Sequence, residues 1–349
     1  MNRRPGLNNR RFAGRKKASG APAPVISSLS ASSGERWFAS TSMTLSGSNF
    51  DTGAVVNFGA SSGISATYGA GVLSFTVPES EFYETGTKNV TVTYNGQTSN
   101  AVTFTVTQPS ILIQDLRADR GITLNGSTVS AWSSYDTSGD ANRTVSQATA
   151  SQQPTYVASN SSFNNKPTVN FSETSVSKLV SGTFSTGTWA QTTIAAVGSS
   201  KLNVGSSNTA GLYLCDGLLS TDRTVVYFPV QSGVERLTVY RAGGEISNTL
   251  SDVYTPSAMF IHFEGAIGSS TTLRSFIRSA SNGVGAAVGA NAGQTGVTLG
   301  ARFAQYSGNG SWNGPMAEFL MFNAPLTQTQ RTRLGNYFSN RYGSGVMTP

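Results

Sequence analysis

The chain has 349 residues, with only 12% charged, 38 glycines and a formal net charge of +7. A single cysteine and a single histidine exclude an intrachain disulfide and a Cys/His zinc site. Apolar residues recur in strand-length runs, which excludes disorder of the whole chain, and no run is long enough to cross a membrane as a helix, so no membrane insertion is expected.

Residues 1–23 read as a basic arm and linker. Residues 1–20 hold Arg3, Arg4, Arg10, Arg11, Arg15, Lys16 and Lys17 and no acid, while the rest of the chain carries 17 basic and 17 acidic residues. The body is therefore neutral, which argues against a nucleic-acid-binding surface on the folded part. Gly, Pro and Asn disfavour a regular element in the arm. It reads either as a solvated tail or as an anchor that orders on an acidic partner, with Leu7 and Phe12 as apolar contacts. Arg10-Arg11-Phe12 begins like a twin-arginine signal, but the stretch from Lys16 to Pro24 lacks the apolar run that must follow. No cleaved signal peptide is expected. Ala21-Pro-Ala-Pro24 is a short stiff linker.

A first β-domain is expected over 24–107. Period-2 alternation appears at Val25, Ser27 and Leu29, at Met43, Leu45 and Gly47, and at Val55, Asn57 and Gly59. Val90–Tyr94 and Ala101–Val106 have the β-branched and aromatic content of paired strands. Tyr94-Asn95-Gly96-Gln97 predicts a hairpin, because Asn-Gly supplies the positive φ angles of a type I′ turn. About seven short strands in this length imply an immunoglobulin-like sandwich. The runs Pro24–Ser30, Leu45–Phe50, Val56–Gly59, Phe75–Pro78 and Val90–Val106 resemble an IPT/TIG domain. Ala31, where that family usually has proline, and Phe38–Thr41, where it has a Gly-Gly turn, depart from the pattern. The resemblance implies a spacer or adhesive module, since some members bind DNA but this body is neutral.

Gln108-Pro109 marks a boundary, and a larger β-domain is expected over 110–345. The two domains are expected to fold independently. The second opens with Gly121–Gly126, Val129–Trp132, Asp136-Thr-Ser-Gly139 and Asn165–Phe171. Thr193–Val197, Val225–Phe228, Arg236–Tyr240, Met259–Phe263 and Leu273–Ile277 supply strands for a jelly roll of two antiparallel sheets. Near the end, Met316, Phe319, Leu320, Met321 and Phe322 predict a buried strand. Thr327 predicts a helix N-cap, with Gln330 completing a capping box. Leu334, Phe338 and Tyr342 share one helical face, and Gly343 is the stop. These pieces resemble the concanavalin A-like lectin/glucanase superfamily in its laminin-G-like branch. The fold class expected is all-β: an immunoglobulin-like sandwich followed by a concanavalin A-like jelly roll with a short C-terminal helix.

Catalytic chemistry is sought and not found. Jelly-roll relatives that cleave glucans carry spaced acids on one strand, which places a nucleophile and an acid about 5–5.5 Å apart. Glu173, Glu235, Glu245, Glu264 and Glu318 have no second acid at that spacing. Glu318 is either a sugar or metal ligand or a structural acid paired with backbone or arginine. His262 lacks a Ser or Cys nucleophile motif and reads as a half-exposed strand residue. Cys215 reads as a small buried residue. Asp136 and Asp140 read as turn-formers rather than calcium ligands. Gly283, Gly285, Gly289 and Gly293 match no phosphate loop. No catalytic residue, metal or cofactor is assigned. Trp132, Trp189, Tyr306 and Trp312 are candidates to stack on sugars, against a competing role in the core.

The order of arm, Ig-like module and lectin-like module implies anchor, stalk and head. The expected protein is a non-enzymatic structural component of a virus particle, a bacteriophage, serving as capsid decoration, fibre or tail component. Its expected partners are other virion proteins, through the arm, and cell-surface glycans, with many copies per particle. The alternatives are a bacterial surface carbohydrate-binding protein, a glycoside hydrolase, and a capsid shell protein with an RNA-binding arm.

Overall fold

The computed structural model describes residues 21–136, 138–185, 192–199, 212–231, 234–241, 244–249, 257–264, 272–277, 280–284, 294–304 and 310–343. The basic arm therefore lies outside the described residues, as do Trp189, Tyr306 and the glycines at 285, 289 and 293. The described chain is nearly all β, with one α-helix of 15 residues near its end. It divides into two compact units. The first comprises the chain up to Ser32, Ser40–Glu81 and Thr87–Thr105; the second comprises Ser33–Ala39, Phe82–Gly86 and the chain from Val106 onward.

In the first unit, Val25–Leu29 pairs with Ser42–Ser48, which pairs with Val72–Thr76 and so on to Ser61–Gly69 and Val55–Phe58, all antiparallel. Alternation sets the core: Ile26, Met43, Leu45, Val56, Phe58, Leu73, Phe75, Val90, Val92 and Phe104 are buried. In the first and last of these strands the buried phase is Ile26, Val56 and Phe58, and not the Val25 and Val55 phase from which alternation is first read. Asn95 (φ 49°) and Gly96 (φ 74°) form the expected tight turn, which joins Gly86–Tyr94 to the short strand Gln97–Thr98.

In the second unit the strands close into one continuous curled sheet, which folds over a single core as two layers. One layer centres on Gly314–Phe322. Leu112–Arg117 and Lys166–Phe171 flank it on one side, and Thr193–Gly198 on the other, followed by Ser257–Glu264 and Thr272–Ile277. The other layer runs from Thr128–Trp132 through Val145–Ser146, Leu179–Ser181, Thr298–Leu299, Leu212–Asp216 and Thr224–Phe228 to Val234–Arg241 and Gly244–Thr249. Between the layers lie Trp132, Val169, Ile194, Leu214, Phe228, Leu299, Trp312, Met316 and Met321, among others.

The outer face of the first layer is covered. Ala317, Leu320 and Phe322 point away from the main core and meet the helix Gln328–Tyr342. Thr327 caps that helix as expected: its hydroxyl accepts from Gln330 N (3.2 Å), and Gln330 Oε1 accepts from Thr327 N (2.9 Å). Leu334, Phe338 and Tyr342 are buried on one face, joined by Tyr337. Trp37, from the Ser33–Ala39 segment, completes this second core, with its ring 5.5 Å from Tyr337 and 6.3 Å from Phe322. Arg36 follows it inside and donates to Asp115 at 2.6 Å, both side chains fully buried. Residues 33–39 and 82–86, which fall inside the 24–107 segment in sequence, are thus part of the second unit.

Candidate functional site

The two described tryptophans singled out for sugar stacking are not on the surface. Trp132 and Trp312 are both fully buried in the core between the layers, Trp312 with its ring 5.2 Å from Phe228. A ring with no solvent-facing side cannot receive a ligand, so both are corrected to core residues. Trp189, Tyr306 and the arm residues Arg3, Arg4, Leu7, Arg10, Arg11, Phe12, Arg15, Lys16 and Lys17 lie outside the described residues.

Glu318 is fully buried. It stands on the covered face and accepts from Tyr337 Oη (3.0 and 3.1 Å) and Tyr342 Oη (2.7 Å), both from the closing helix. Burial, reinforced by the charge of Asp115, pushes its carboxyl up to about 7, with Arg117 and the Tyr342 bond acting against that rise. Its partners are two tyrosine hydroxyls, where the sequence suggested backbone or arginine. An acid sealed in this way cannot reach a substrate. Cys215 is fully buried, and burial raises its thiol well above the usual range, which makes it inert. Asp136 accepts from Ser138 and from the Arg143 side chain, and Asp140 caps the short turn Ala141–Arg143 and also accepts from Ser185 N, so both act as structural acids. Among the described residues no group of three His, Cys, Asp or Glu side chains is placed to hold a metal. His262 stands in Ser257–Glu264, opposite Thr193 and Arg274.

A different constellation emerges on the outer face of the second layer. In Thr224–Phe228, Val226 and Phe228 point into the core, so Val225 and Tyr227 take the opposite face. In Val234–Arg241, Leu237 and Val239 point inward, leaving Arg236, Thr238 and Tyr240 outward. Register then sets Tyr227 opposite Thr238 and Tyr240 opposite Val225. Tyr213 lies opposite Tyr227 on the next strand, and their rings stack at 5.1 Å and 10°. A register shift between Tyr213 and Cys215 turns Asp216 to the same face while Cys215 stays in the core.

Arg223 holds the middle of this face. Its Nε and Nη2 donate to Asp216 Oδ2 at 3.0 and 2.9 Å. Its guanidinium lies 5.2 Å from the Tyr240 ring, 5.9 Å from Phe303 and 6.0 Å from Tyr213. Asp216 also accepts from Gly217 N (2.8 Å) and Phe303 N (3.2 Å), so its four bonds fix both the arginine and the following loop. Burial raises the Asp216 carboxyl, and Arg223 pulls it back down. Arg302 stands beside, 5.4 Å from the Phe303 ring. Tyr227, Tyr240, Arg223, Arg236, Arg302 and Phe303 all keep part of their surface in solvent. The sequence reading missed this cluster. Its outward phase was present in Val225–Phe228 and Arg236–Tyr240, but the pairing that assembles it is non-local.

A second, lesser feature is an open cleft of about 500 Å³ lined by Thr85, Val106, Thr107, Gln108, Tyr135 and Asp136. Its one aromatic ring, Tyr135, already carries the Arg120 guanidinium at 3.7 Å.

Residues 24–106 match the IPT/TIG domain family. No curated protein matches the chain by sequence. Among solved structures, domain 4 of an extracellular GH43 arabinanase from Geobacillus stearothermophilus, in complex with arabinotriose, is 10% identical; the match covers 64% of this chain and 98% of that one, at TM-score 0.40. An arabinofuranosidase complexed with arabinofuranosyl-xylobiose is 12% identical over 62% of this chain and 51% of that one, at 0.45. The binding domain of botulinum neurotoxin serotype D/C is 14% identical over 65% and 52%, at 0.38. The chain spans about half the length of the last two.

Proposed function

We propose that the protein is a non-enzymatic glycan-binding component on the surface of a virus particle, a bacteriophage. The basic arm anchors it to other virion proteins, the IPT/TIG domain is a spacer, and the jelly roll is the head that meets cell-surface glycans. The observation that carries the binding role is the outer face with Tyr227, Tyr240 and Phe303 around Arg223. Flat rings pack against the apolar C–H faces of sugars, and a few fixed polar groups orient the hydroxyls. The non-enzymatic role rests on the acids. Glu318 is sealed beneath two tyrosines, and Asp216 has both oxygens committed. The anchor role rests on the concentration of positive charge in residues 1–20 ahead of a neutral body.

The test is a glycan array read with the wild-type chain and with Tyr227→Ala/Tyr240→Ala. Binding that the double substitution removes, without loss of fold, is the expected result. Binding unchanged by it refutes the assignment of the face. Reducing-end release from arabinan, β-glucan or agar should be absent, and release abolished by Glu318→Gln would refute the non-enzymatic reading.

A further inference from the structure

We propose that the cleft at Tyr135, separate from the outer face, is a second binding site whose ligand is a neutral saccharide. The site stands on its own residues and shares with the reading above only the class of ligand. Its volume of about 500 Å³ falls in the range of roughly 300–1,000 Å³ usual for small-molecule sites. Tyr135 supplies the flat apolar surface. It is 48% exposed, although one face of its ring carries the Arg120 guanidinium at 3.7 Å. Arg120 is itself held by Asp115 Oδ2 at 2.6 Å and by Glu84 at 3.5 Å, so it backs the ring as a fixed wall. The tyrosine backbone is tied as well: its N–H donates to Asp115 O at 2.8 Å, and its carbonyl accepts from Gln108 Nε2 at 2.6 Å. The ring is therefore ordered before a ligand arrives, and stacking on its open side meets little of that cost again.

The polar groups of the lining then limit what can bind. A backbone carbonyl only accepts, so the bond to Tyr135 O fixes the orientation of the Gln108 amide and leaves Oε1 as its other arm. That oxygen is shielded from solvent and receives no donor. A shielded acceptor left unmade is costly, and a hydroxyl group satisfies it. Asp136 takes Ser138 and Arg143 on Oδ1, which leaves Oδ2 without a donor among the described residues. The unfilled capacity is thus that of acceptors, and it calls for a ligand that brings donors. An anionic group brings none and would face Asp136. A cation would meet Arg120 behind the ring and Arg143 on the carboxylate. A neutral sugar meets both demands, with a C–H face for Tyr135 and hydroxyls for Gln108 and Asp136.

The experiment titrates the isotope-labelled full chain and follows two NMR signals, the Gln108 side-chain amide and the Tyr135 backbone amide. The probes are cellotriose, maltotriose and trigalactose, with trigalacturonate as the acidic twin of the last and a synthetic peptide of residues 1–20 as the basic one. At least one neutral trisaccharide should shift both signals to saturation, and trigalacturonate should do so about ten-fold more weakly or not at all. Tyr135→Ala should weaken that binding about ten-fold or more, Tyr135→Phe should restore it, and Gln108→Leu should weaken it without abolishing it. Tyr227→Ala/Tyr240→Ala should leave the two shifts unchanged, which separates the cleft from the outer face. The wild-type shifts decide even where a variant fails to fold. Neutral saccharide binding that moves neither signal overturns the cleft while the outer-face reading survives. Shifts at the cleft, with total binding unaffected by Tyr227→Ala/Tyr240→Ala, support the cleft and refute the face. Absence of binding by every probe sinks both. A stronger response at these signals to trigalacturonate or to the peptide than to any neutral probe reassigns the cleft to a charged ligand and overturns the proposal.

Discussion

Replacing Glu318 with glutamine tests the covered side of the jelly roll. The carboxyl is fully buried, and it faces Tyr337 and Tyr342 from the helix, Asp115 and Arg117 from the neighbouring strand, and Arg341 from the last helical turn. Its folded-state value of about 7 stands above the ordinary 4.5. A raised carboxyl binds its proton more tightly in the fold than in the unfolded chain. Its stabilising contribution is therefore complete below about pH 4.5 and is lost as pH rises through about 7. A shift of this size is worth about 3 kcal/mol between those limits. Glutamine keeps the shape, still accepts from a tyrosine hydroxyl and never ionises. Relative to wild type, Glu318→Gln should be near neutral at pH 5 and more stable by about 2–3 kcal/mol at pH 8. Urea unfolding at the two pH values measures this. Tryptophan fluorescence suits the purpose, because Trp37, Trp132 and Trp312 are all buried in the second unit. The difference between the two pH values is read as variant minus wild type, so other titrating groups cancel. A difference that does not change with pH, or a variant less stable than wild type at pH 8, would refute the reasoning.

Two further outcomes follow from the same unit and from the arm. Asp115→Ala should cost about 3–5 kcal/mol, because it leaves Arg36 charged, buried and unpaired, whereas Arg36→Met/Asp115→Leu should cost less than the single change; urea midpoints of the three variants decide. Deleting residues 1–20 should leave both fluorescence and thermal transitions intact; on the virion reading proposed above it should also abolish incorporation into the particle, and incorporation at the wild-type level would rule the arm out as anchor.

Local signals carried much of the fold. The Thr327–Gln330 capping box, the four-residue spacing of Leu334, Phe338 and Tyr342, and the Asn95-Gly96 turn are short-range patterns whose geometry does not depend on the rest of the chain. All five strand runs of the second domain are strands in the structure. The site was far less legible. Tyr213, Tyr227 and Tyr240 lie on three strands, and only their register brings them together. The shift between Tyr213 and Cys215 is also what puts Asp216 beside Arg223, where unbroken alternation from Tyr213 would have sent it into the core. Tryptophan is ambiguous by nature, since the same large ring serves a core or a sugar platform, and for Trp132 and Trp312 burial decided. The Ser33–Ala39 segment reads as a loop of the first domain, yet Arg36 and Trp37 belong to the second unit's interior. Trp37 adopts a left-handed backbone (φ 64°) that its residue type does not suggest. The piece 110–349 taken alone would lack both, which argues against its folding as well as the full chain does.

The two outer faces of the jelly roll have different physical fates, and that difference supports the functional reading. The first face is apolar at Ala317, Leu320 and Phe322, and an amphipathic helix and Trp37 remove it from water. The second carries Tyr213, Tyr227, Tyr240 and Arg223, and Tyr227, Tyr240 and Arg223 keep part of their surface in solvent. What holds it is the Asp216–Arg223 pair with four bonds to the carboxylate, which fixes the arginine and, through Phe303 N, the adjacent loop. Ordering those side chains is a cost met on folding, so a ligand that lands there does not meet it again. The same saturation takes Asp216 out of proton transfer. A rigid aromatic surface of this kind is suited to hold a saccharide, as proposed above.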